Sequence, residues 1–227
     1  MKMYSEKYYK NHIDKDRPAL WFYARLARRF FSDGKILDYG CGYGHLVKRL
    51  KKHFVANGMD ISEGARVEAA KLVGNAEFFS STERIESSAY SGIVSLHVIE
   101  HISDKDIGIL LEEWKRILIP KGKVICVTPD KGGRGNQLKG SDWAGFKDPT
   151  HINLKSYKDW VKVFEKAGFL VKKIGSDGLW DFPYKDKLPK TIDAFLHSKN
   201  TVLQFVLGHL ILSPGRGESA IFLLIKK

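Results

Sequence analysis

The sequence has few of the features that stabilise or anchor proteins outside the cytoplasm. Only two of its 227 residues are cysteine, which is too few for a disulfide scaffold and fits a reducing compartment. No apolar run reaches the roughly 18–20 residues that a membrane-spanning helix needs. The N-terminal segment is polar and carries acids, unlike a signal peptide. We therefore expect a soluble, cytoplasmic protein that has no transmembrane segment.

Internal repeats, low-complexity segments and a long basic tail are also missing from the sequence. Lysine and arginine nevertheless outnumber the acids, and the formal net charge is +12. A basic surface attracts nucleic acid, anionic lipid or an anionic small molecule. The basic residues are scattered at helical spacing, as on solvated helix faces, and no nucleic-acid-binding motif is present. We therefore predict no DNA partner, and an RNA partner only as a weaker alternative.

What the sequence does have is a regular alternation of short apolar strands and amphipathic helices. Strands are predicted over residues 35–39, 54–60, 76–79, 92–97, 123–128, 170–174 and 219–225. Such an alternation predicts an α/β fold with a Rossmann-like, doubly wound and mostly parallel sheet, covered by helices on both faces.

Two stretches interrupt the alternation. Residues 129–153 are rich in Gly, Lys and Asp and are predicted as a long loop, and residues 177–217 contain an apolar helical segment over 201–212. Neither stretch has the composition of a flexible linker. We therefore predict a single domain, divided into an N-terminal helical segment (1–31), a core (32–175), a helical insertion (177–217) and a last strand (218–227).

The most informative motif is ILDYGCGYG, residues 36–44, in which an apolar strand ends in Asp38 and runs into a turn. Three glycines occupy alternate positions of that turn: Gly40, Gly42 and Gly44. Ligands bind at the carboxyl ends of strands in such sheets, and glycine lets the backbone approach them closely. The spacing differs from the dinucleotide motif G-x-G-x-x-G. Asp38 favours a cationic ligand, and Asp60, at the end of the second strand, is placed to bind ribose hydroxyls.

Four segments in this order, ILDYGCGYG, GMDIS, SLHVIEHI and LIPKGKVICVTPD, resemble the class I S-adenosylmethionine-dependent methyltransferases. The branch they most resemble includes the ubiquinone-biosynthesis O-methyltransferases. The resemblance covers about residues 30–175 and the last strand. It implies a seven-stranded sheet with an antiparallel last strand, S-adenosyl-L-methionine as cofactor, S-adenosyl-L-homocysteine as product, and methyl transfer to a small-molecule acceptor.

The resemblance also implies roles for the cofactor-site residues. The three glycines would line the methionine part of the cofactor, with Asp38 near its ammonium group and the Leu96 backbone beside it. Asp60 would accept hydrogen bonds from the ribose, and Ile61 would pack on the adenine. The segment after the third strand lacks the acid that commonly holds the adenine amino group, so the candidates are backbone atoms, Ser81 or Thr82.

In this family the segment before the first strand often closes over the cofactor, and such lids exclude water. Residues 1–31 are therefore expected to form a helical lid, and the side chains considered for it are Tyr4, Tyr8, Tyr9, His12 and Arg17. A plain surface helix is the alternative.

Histidines are the candidates for the transfer chemistry. A hydroxyl acceptor must lose its proton, and histidine is the usual base near neutral pH. His97 and His101 lie in the segment HVIEH, and His151 lies at the exit of the long loop. We predict these three as catalytic residues acting on an oxygen nucleophile. Asp142 and Asp148 are weaker candidates, and Cys41 is expected to be a buried filler.

The same segment, HVIEH, contains residue types that could bind a divalent metal ion. Ubiquinone-type enzymes carry Glu-x-x-Glu-His, which resembles a divalent-metal site. Here His97 replaces the first Glu, whereas Glu100 and His101 match. The side chains of a His-x-x-Glu-His segment are also of the types that bind divalent metal ions. Hydrogen bonding of His101 at the helix start is the favoured interpretation, and we predict no metal.

The acceptor itself is not named by the sequence. Three lysines of the insertion favour an anionic group: Lys185, Lys187 and Lys190. The apolar stretch 202–207 favours a lipid-linked acceptor, a peripheral membrane contact or a dimer contact. The fourth strand is not followed by the Asn/Asp-Pro-Pro-aromatic segment of adenine methyltransferases, which disfavours DNA methylation. A non-catalytic S-adenosylmethionine-binding protein and an RNA methyltransferase are the alternative functions.

Overall fold

A seven-stranded mixed sheet forms the centre of the protein. The computed structural model describes residues 16–184 and 190–227. The strands are β1 (Lys35–Tyr39), β2 (Val55–Met59), β3 (Phe78–Phe79), β4 (Tyr90–Leu96), β5 (Leu118–Pro129), β6 (Phe169–Ser176) and β7 (Ser219–Lys226). Their order is β3-β2-β1-β4-β5-β7-β6, and β7 is antiparallel to both of its neighbours. The other pairs are parallel, so the predicted fold class is confirmed.

Helices cover both faces of this sheet. They are α1 (Ala19–Phe30), α2 (His45–Leu50), α3 (Glu63–Val73), α4 (Asp104–Ile117), α5 (Arg134–Lys139), α6 (Ala144–Lys147), α7 (Tyr157–Lys166) and α8 (Lys190–Leu207). Neighbouring residues of a strand point to opposite faces. Leu37 accordingly belongs to the apolar cluster beneath α4 and α7, and Ile36 belongs to the cluster beneath α1 and α2.

Several element boundaries differ from the predicted ones. The predicted loop 129–153 contains α5, α6 and a short 3-10 turn (Gly140–Asp142). The helix predicted over 201–212 lies over Lys190–Leu207 instead, because Gly208 takes a φ of +64° and ends it. Pro120 lies within β5, where the pairing with β4 shifts register between Tyr90 and Gly92.

The chain direction of the strands explains where polar residues collect. Asp60, Asp130 and Asp177 directly follow β2, β5 and β6, and His97 directly follows β4. Because β7 is antiparallel, Glu218, which directly precedes it, lies at the same edge. This edge is where ligands bind in doubly wound sheets.

The predicted N-terminal lid, residues 1–31, lies only partly within the described residues. Tyr4, Tyr8, Tyr9 and His12 lie outside the described residues, as do Lys185 and Lys187 of the insertion. Within the described part, α1 buries Phe22 and Leu26 in the apolar cluster on the sheet. A lid role and the proposed domain divisions stay predictions. No described helix combines the length and the apolarity needed to cross a membrane.

Candidate methyl-transfer site

The turn after β1 depends on left-handed backbone conformations. Gly40, Gly42 and Gly44 have φ values of +81°, +51° and +78°, which glycine adopts without strain. The amides of Gly40 and Cys41 both donate to the Met59 carbonyl, at 2.8 and 2.9 Å, and tie the turn to the end of β2. A Cβ atom at Gly40 would overlap the Val98 side chain. The turn therefore lies close to both neighbouring strand ends.

Asp60 braces this turn from β2. Its Oδ2 accepts a hydrogen bond from the Gly42 amide at 2.9 Å, and its Oδ1 accepts one from the Ser62 amide at 2.9 Å. Arg66 donates to the Asp60 carbonyl at 2.6 Å. The carboxylate is 5% exposed, so it is held in one orientation between the glycine turn and the start of α3. Its position at the end of β2, beside the glycine turn, is compatible with the ribose role that was predicted.

Asp38 is the second acid at this edge, and it is 3% exposed. Burial, together with the charge of Asp60, raises the pKa of Asp38 to about 8. A buried carboxyl that lacks a cationic neighbour favours its neutral form. The Asp38 carboxyl therefore fits a cationic ligand such as the ammonium group of S-adenosylmethionine. Ile61 leaves 57% of its surface exposed beside Asp60, which suits an adenine ring, and Leu96 is half-buried at the end of β4.

An open groove of about 770 Å³ lies beside this site and includes Ser81, Thr82 and Ile102 in its lining. The Thr82 hydroxyl donates to Glu113 Oε2 at 2.9 Å. Because that hydroxyl is already engaged, Ser81 is the better of the two candidates for the adenine amino group. The assignment stays a prediction.

The Asp38 carboxyl gives a pH-dependent prediction for cofactor binding. If its pKa is about 8 and the bound ammonium requires the carboxylate, binding must release a proton below that pH. Affinity for S-adenosylmethionine should then rise about tenfold per pH unit over roughly pH 5 to 7. Calorimetry in two buffers of different ionisation enthalpy would measure the released proton. Asp38→Asn should bind more weakly and show no such slope, and a pH-independent wild-type affinity would contradict the assignment.

The same carboxyl affects the stability of the unliganded protein. Its pKa is about 8 when folded, against an ordinary value of 3.8. Between these values the folded protein holds a proton that the unfolded chain has lost, so the free energy of unfolding should fall as pH rises. Asp38→Asn should remove this part of the pH dependence in chemical denaturation.

His97 lies directly beyond β4 with a φ of +56°, which is uncommon for a residue that has a Cβ atom and recurs at functional sites. Its amide donates to the Val127 carbonyl at 2.8 Å. Its Nδ1 atom lies 3.3 Å from Oε1 of Glu100. Glu100 is fully buried, and its Oε2 accepts a hydrogen bond from the Thr128 hydroxyl at 3.0 Å.

The buried Glu100 is held in its charged form by its surroundings. Burial alone would raise its pKa, but the contact with His97 and the proximity of His101 outweigh burial and lower the pKa below its ordinary value. A carboxylate beside Nδ1 fixes the orientation of an imidazole and favours a proton on that nitrogen. The Nε2 atom of His97 is then the one with a lone pair to offer.

His151 and His101 pack against each other, with ring centroids 4.8 Å apart. His151 Nδ1 donates to the Gly145 carbonyl at 2.7 Å, and His101 Nδ1 lies 2.9 Å from the Thr150 hydroxyl. Burial is the largest influence on His101 and lowers its pKa. His101 thus has hydrogen-bonding partners outside its own helical turn, rather than only at the helix start.

The structure gathers a different metal-ligand set from the one weighed in the sequence. Ligand atoms of Glu100, His101 and His151 lie within 4.8 Å of one another. His97, which stands at the position of the first Glu, contacts Glu100 but does not belong to that group. The prediction that the protein uses no metal stays a prediction.

A small cavity of about 90 Å³ opens at this edge of the sheet, and its lining includes His97, His151, Trp143, Trp180 and Glu218. Two of the predicted histidines therefore share one cavity. The third, His101, contacts His151 and is not part of the lining.

Sequence reasoning missed two acids and the indole rings that they hold. Asp177 accepts hydrogen bonds from the Trp180 indole and the Ser219 amide, both at 2.7 Å. Glu218 accepts one from the Trp143 indole at 2.6 Å and another from the Tyr184 hydroxyl. Burial is the largest influence on Glu218 and raises its pKa. Both acids adjoin strand ends, which is the signal that had identified Asp38 and Asp60.

The weaker sequence candidates are not part of the cavity lining. Asp148 Oδ1 accepts hydrogen bonds from the Thr150 amide and hydroxyl, at 2.8 and 2.6 Å. Asp142 is exposed in the short turn before α6. Cys41 is buried, and burial raises the pKa of its thiol well above the ordinary value, so it is a poor nucleophile.

Comparison with known proteins agrees with this arrangement. A family model described as a methyltransferase domain matches residues 12–174, which is well over half of the chain, and the chain belongs to this family. No curated protein gives a significant match.

Solved structures of similar fold include several methyltransferases. One is an S-adenosylmethionine-dependent methyltransferase from Archaeoglobus fulgidus, with a TM-score of 0.68 and 14% identity over 97% of this chain and 98% of that one. Another, from Thermotoga maritima, is described as a possible histamine N-methyltransferase (TM-score 0.62, 17% identity, 92% and 91% covered). The plantazolicin methyltransferase BamL, solved with S-adenosylhomocysteine and a substrate analogue, has a TM-score of 0.60 and 17% identity (97% and 88% covered).

At these identities the structural likeness establishes the fold. Together with the family match, it confirms the prediction of an S-adenosylmethionine-dependent methyltransferase. Neither the branch of the family nor the acceptor follows from these comparisons.

Proposed function

We propose that this enzyme transfers a methyl group to the oxygen of a small hydroxyl compound, with His97 as the base. The observation that carries the proposal is the contact between the His97 imidazole, which lines the cavity, and the buried Glu100, 3.3 Å from its Nδ1. That contact leaves Nε2 to accept the acceptor's proton. Of the histidines, only His97 and His151 line the cavity in the described part of the chain.

The proposed reaction needs little else from the protein. S-Adenosylmethionine supplies an electrophilic methyl group on a sulfonium sulfur. His97 takes the hydroxyl proton while the oxygen forms a bond to the methyl carbon, and the bond from carbon to sulfur breaks. Holding the two reactants in line can itself supply a large part of the acceleration. In this proposal His151, fixed through Nδ1 by the Gly145 carbonyl, orients the acceptor.

The cavity walls favour a neutral, flat reacting end of the acceptor. Indole rings form part of the lining, and carboxylates hold each of them. Neither Glu218 nor Asp177 supplies a positive charge that would bind an anionic group beside these rings. Lys139, which lies near, is paired with Asp181 at 2.7 Å. An anionic group, if the acceptor has one, would therefore bind away from the cavity, and a phenol-like hydroxyl fits the reacting end.

A panel of acceptors tests the proposal. The purified enzyme with S-adenosylmethionine should release S-adenosylhomocysteine steadily with phenolic or other hydroxyl compounds and more slowly with matched amines, which mass spectrometry of both products would show. Turnover with amines alone would overturn the oxygen proposal. Cofactor binding without turnover on any acceptor would favour a non-catalytic protein, and turnover on RNA with salt-dependent binding would favour an RNA methyltransferase.

A further inference from the structure

The second half of α8 packs with its polar side inward. Thr201 and Gln204 are buried against the rest of the protein. The opposite side is apolar and exposed, with exposed fractions of 56% for Val202, 48% for Leu203, 62% for Val206 and 45% for Leu207. A surface helix ordinarily buries its apolar side and exposes its polar side. These four residues are called the α8 face below.

Several contacts fix the orientation of this helix. Gln204 donates to the Ser176 carbonyl at 2.8 Å and accepts from the Ile211 and Leu212 amides at 2.8 and 3.0 Å. The Phe205 ring stacks on Phe22 of α1, with centroids 4.9 Å apart. A rotation that buried the α8 face would break all of these contacts. The exposed apolar side is therefore part of the folded arrangement.

Arginines of α1 lie at the end of the α8 face. Arg25 donates to the Val206 carbonyl at 2.6 Å, and Arg29 donates to the Leu207 carbonyl at 3.1 Å. Neither residues 17–32 nor residues 194–217 contain an acid. The basic side chains of these two segments are Arg17, Arg25, Arg28, Arg29, Lys199 and Arg216. An exposed apolar patch that ends beside two arginines is complementary to an anionic surface.

We propose that the α8 face docks onto the surface of an anionic lipid bilayer. A helix with exposed apolar side chains and basic neighbours lies in the bilayer interface, with the apolar groups inserted and the arginines near the phosphates. A dimer through the same patch would instead bring the arginines of both copies to one interface, and like charges oppose it. The charge pattern thus favours lipid over a second copy.

Docking at this place would bring the acceptor cavity near the bilayer. Gln204 binds the Ser176 carbonyl, and the next residue, Asp177, holds the Trp180 indole at the cavity. The proposal does not rest on the acceptor's identity, because vesicle binding is measured without turnover.

Vesicle co-sedimentation of the full chain tests the proposal. The protein should bind phosphatidylcholine vesicles that contain phosphatidylglycerol and bind pure phosphatidylcholine vesicles much more weakly. Val202→Ser combined with Val206→Ser should reduce the partition coefficient about tenfold, because two inserted side chains lose their apolar surface. The matched control is Val67→Ser on α3, where the valine is 47% exposed outside the α8 face, and it should bind like the wild type.

A separate variant tests whether basic residues contribute to vesicle binding. Arg28 is exposed one turn from Arg25, and Arg28→Gln should weaken binding about fivefold, since one basic residue near an anionic surface contributes about 1 kcal/mol. Added salt should also weaken it. Equal binding to both vesicle types, or equal binding by the double variant and the control at unchanged thermal stability, would overturn the proposal. So would light scattering that shows a dimer which the double variant abolishes.

Discussion

Replacing His97 with alanine should lower kcat by about 10²–10⁴-fold, the range for loss of a positioned general base, and leave the affinity for S-adenosylmethionine nearly unchanged. The imidazole lines the cavity and contacts buried Glu100 through Nδ1, so it is placed to take a proton but not to hold the cofactor. Single-turnover kinetics with the best acceptor from the panel would measure the effect on chemistry, and calorimetry would measure cofactor affinity.

Further variants distinguish the catalytic base, His97, from the residue that positions it, Glu100. His97→Asn keeps a side chain that tolerates the left-handed backbone found here (φ +56°) and should be as inactive as the alanine variant. Glu100→Gln should lower kcat less and shift its pH profile, because Glu100 acts as a positioning residue through His97. His209→Ala, an exposed histidine outside the cavity, should be normal. A small loss of kcat with a raised KM in His97→Ala would show that the residue only positions the acceptor.

The glycine turn and its contact with Asp60 could be predicted because their signals are local. The strand ILDY, the alternating glycines and Asp60 each carry meaning within a few residues. Parallel strands that end at one edge then bring these segments together. The hydrogen bond from the Gly42 amide to Asp60 is a direct result of that geometry. The same rule placed His97 and His151 near one another.

The rest of the acceptor cavity could not be predicted, since it depends on pairs that are distant along the chain. The Trp143 indole and Glu218 form a hydrogen bond across 75 positions, and nothing periodic in the sequence records such a pair. The short helices α5 and α6 have too few residues to show helical periodicity. An acid that directly precedes an antiparallel last strand was a usable signal for Glu218, once that strand had been placed.

The orientation of α8 could not be predicted from the periodicity of its sequence either. The apolar stretch 202–207 was recognised, but periodicity assumes that apolar residues face inward. In α8 the polar Gln204 is fully buried, and its side chain satisfies the Ser176 carbonyl and two backbone amides. Hydrogen bonds that buried backbone groups require help to fix the orientation of this helix. One of these groups, the Ser176 carbonyl, belongs to β6, which the helix meets only after folding.

Replacing Asp60 with alanine should strongly weaken cofactor binding. Each hydrogen bond from a ribose hydroxyl to a charged carboxylate contributes about 1.5–3 kcal/mol, so losing two should weaken the affinity for S-adenosylmethionine by roughly 10²–10⁴-fold. The substitution also removes the acceptor for the Gly42 and Ser62 amides, which loosens the glycine turn. Titration calorimetry with S-adenosylmethionine and S-adenosylhomocysteine would measure both affinities.

Thermal unfolding without cofactor separates the two effects of the Asp60 substitution. If bracing of the turn dominates, the melting temperature falls in the absence of cofactor and a ribose-free analogue loses affinity as well. If ribose binding dominates, only ligands that carry the ribose hydroxyls lose affinity. Asp33→Ala is the control, because it removes an exposed acid outside this site and should bind normally. An Asp60→Ala enzyme with wild-type affinity for S-adenosylmethionine would reject the cofactor site described above, because the Asp60 carboxylate accepts a hydrogen bond from the glycine turn itself.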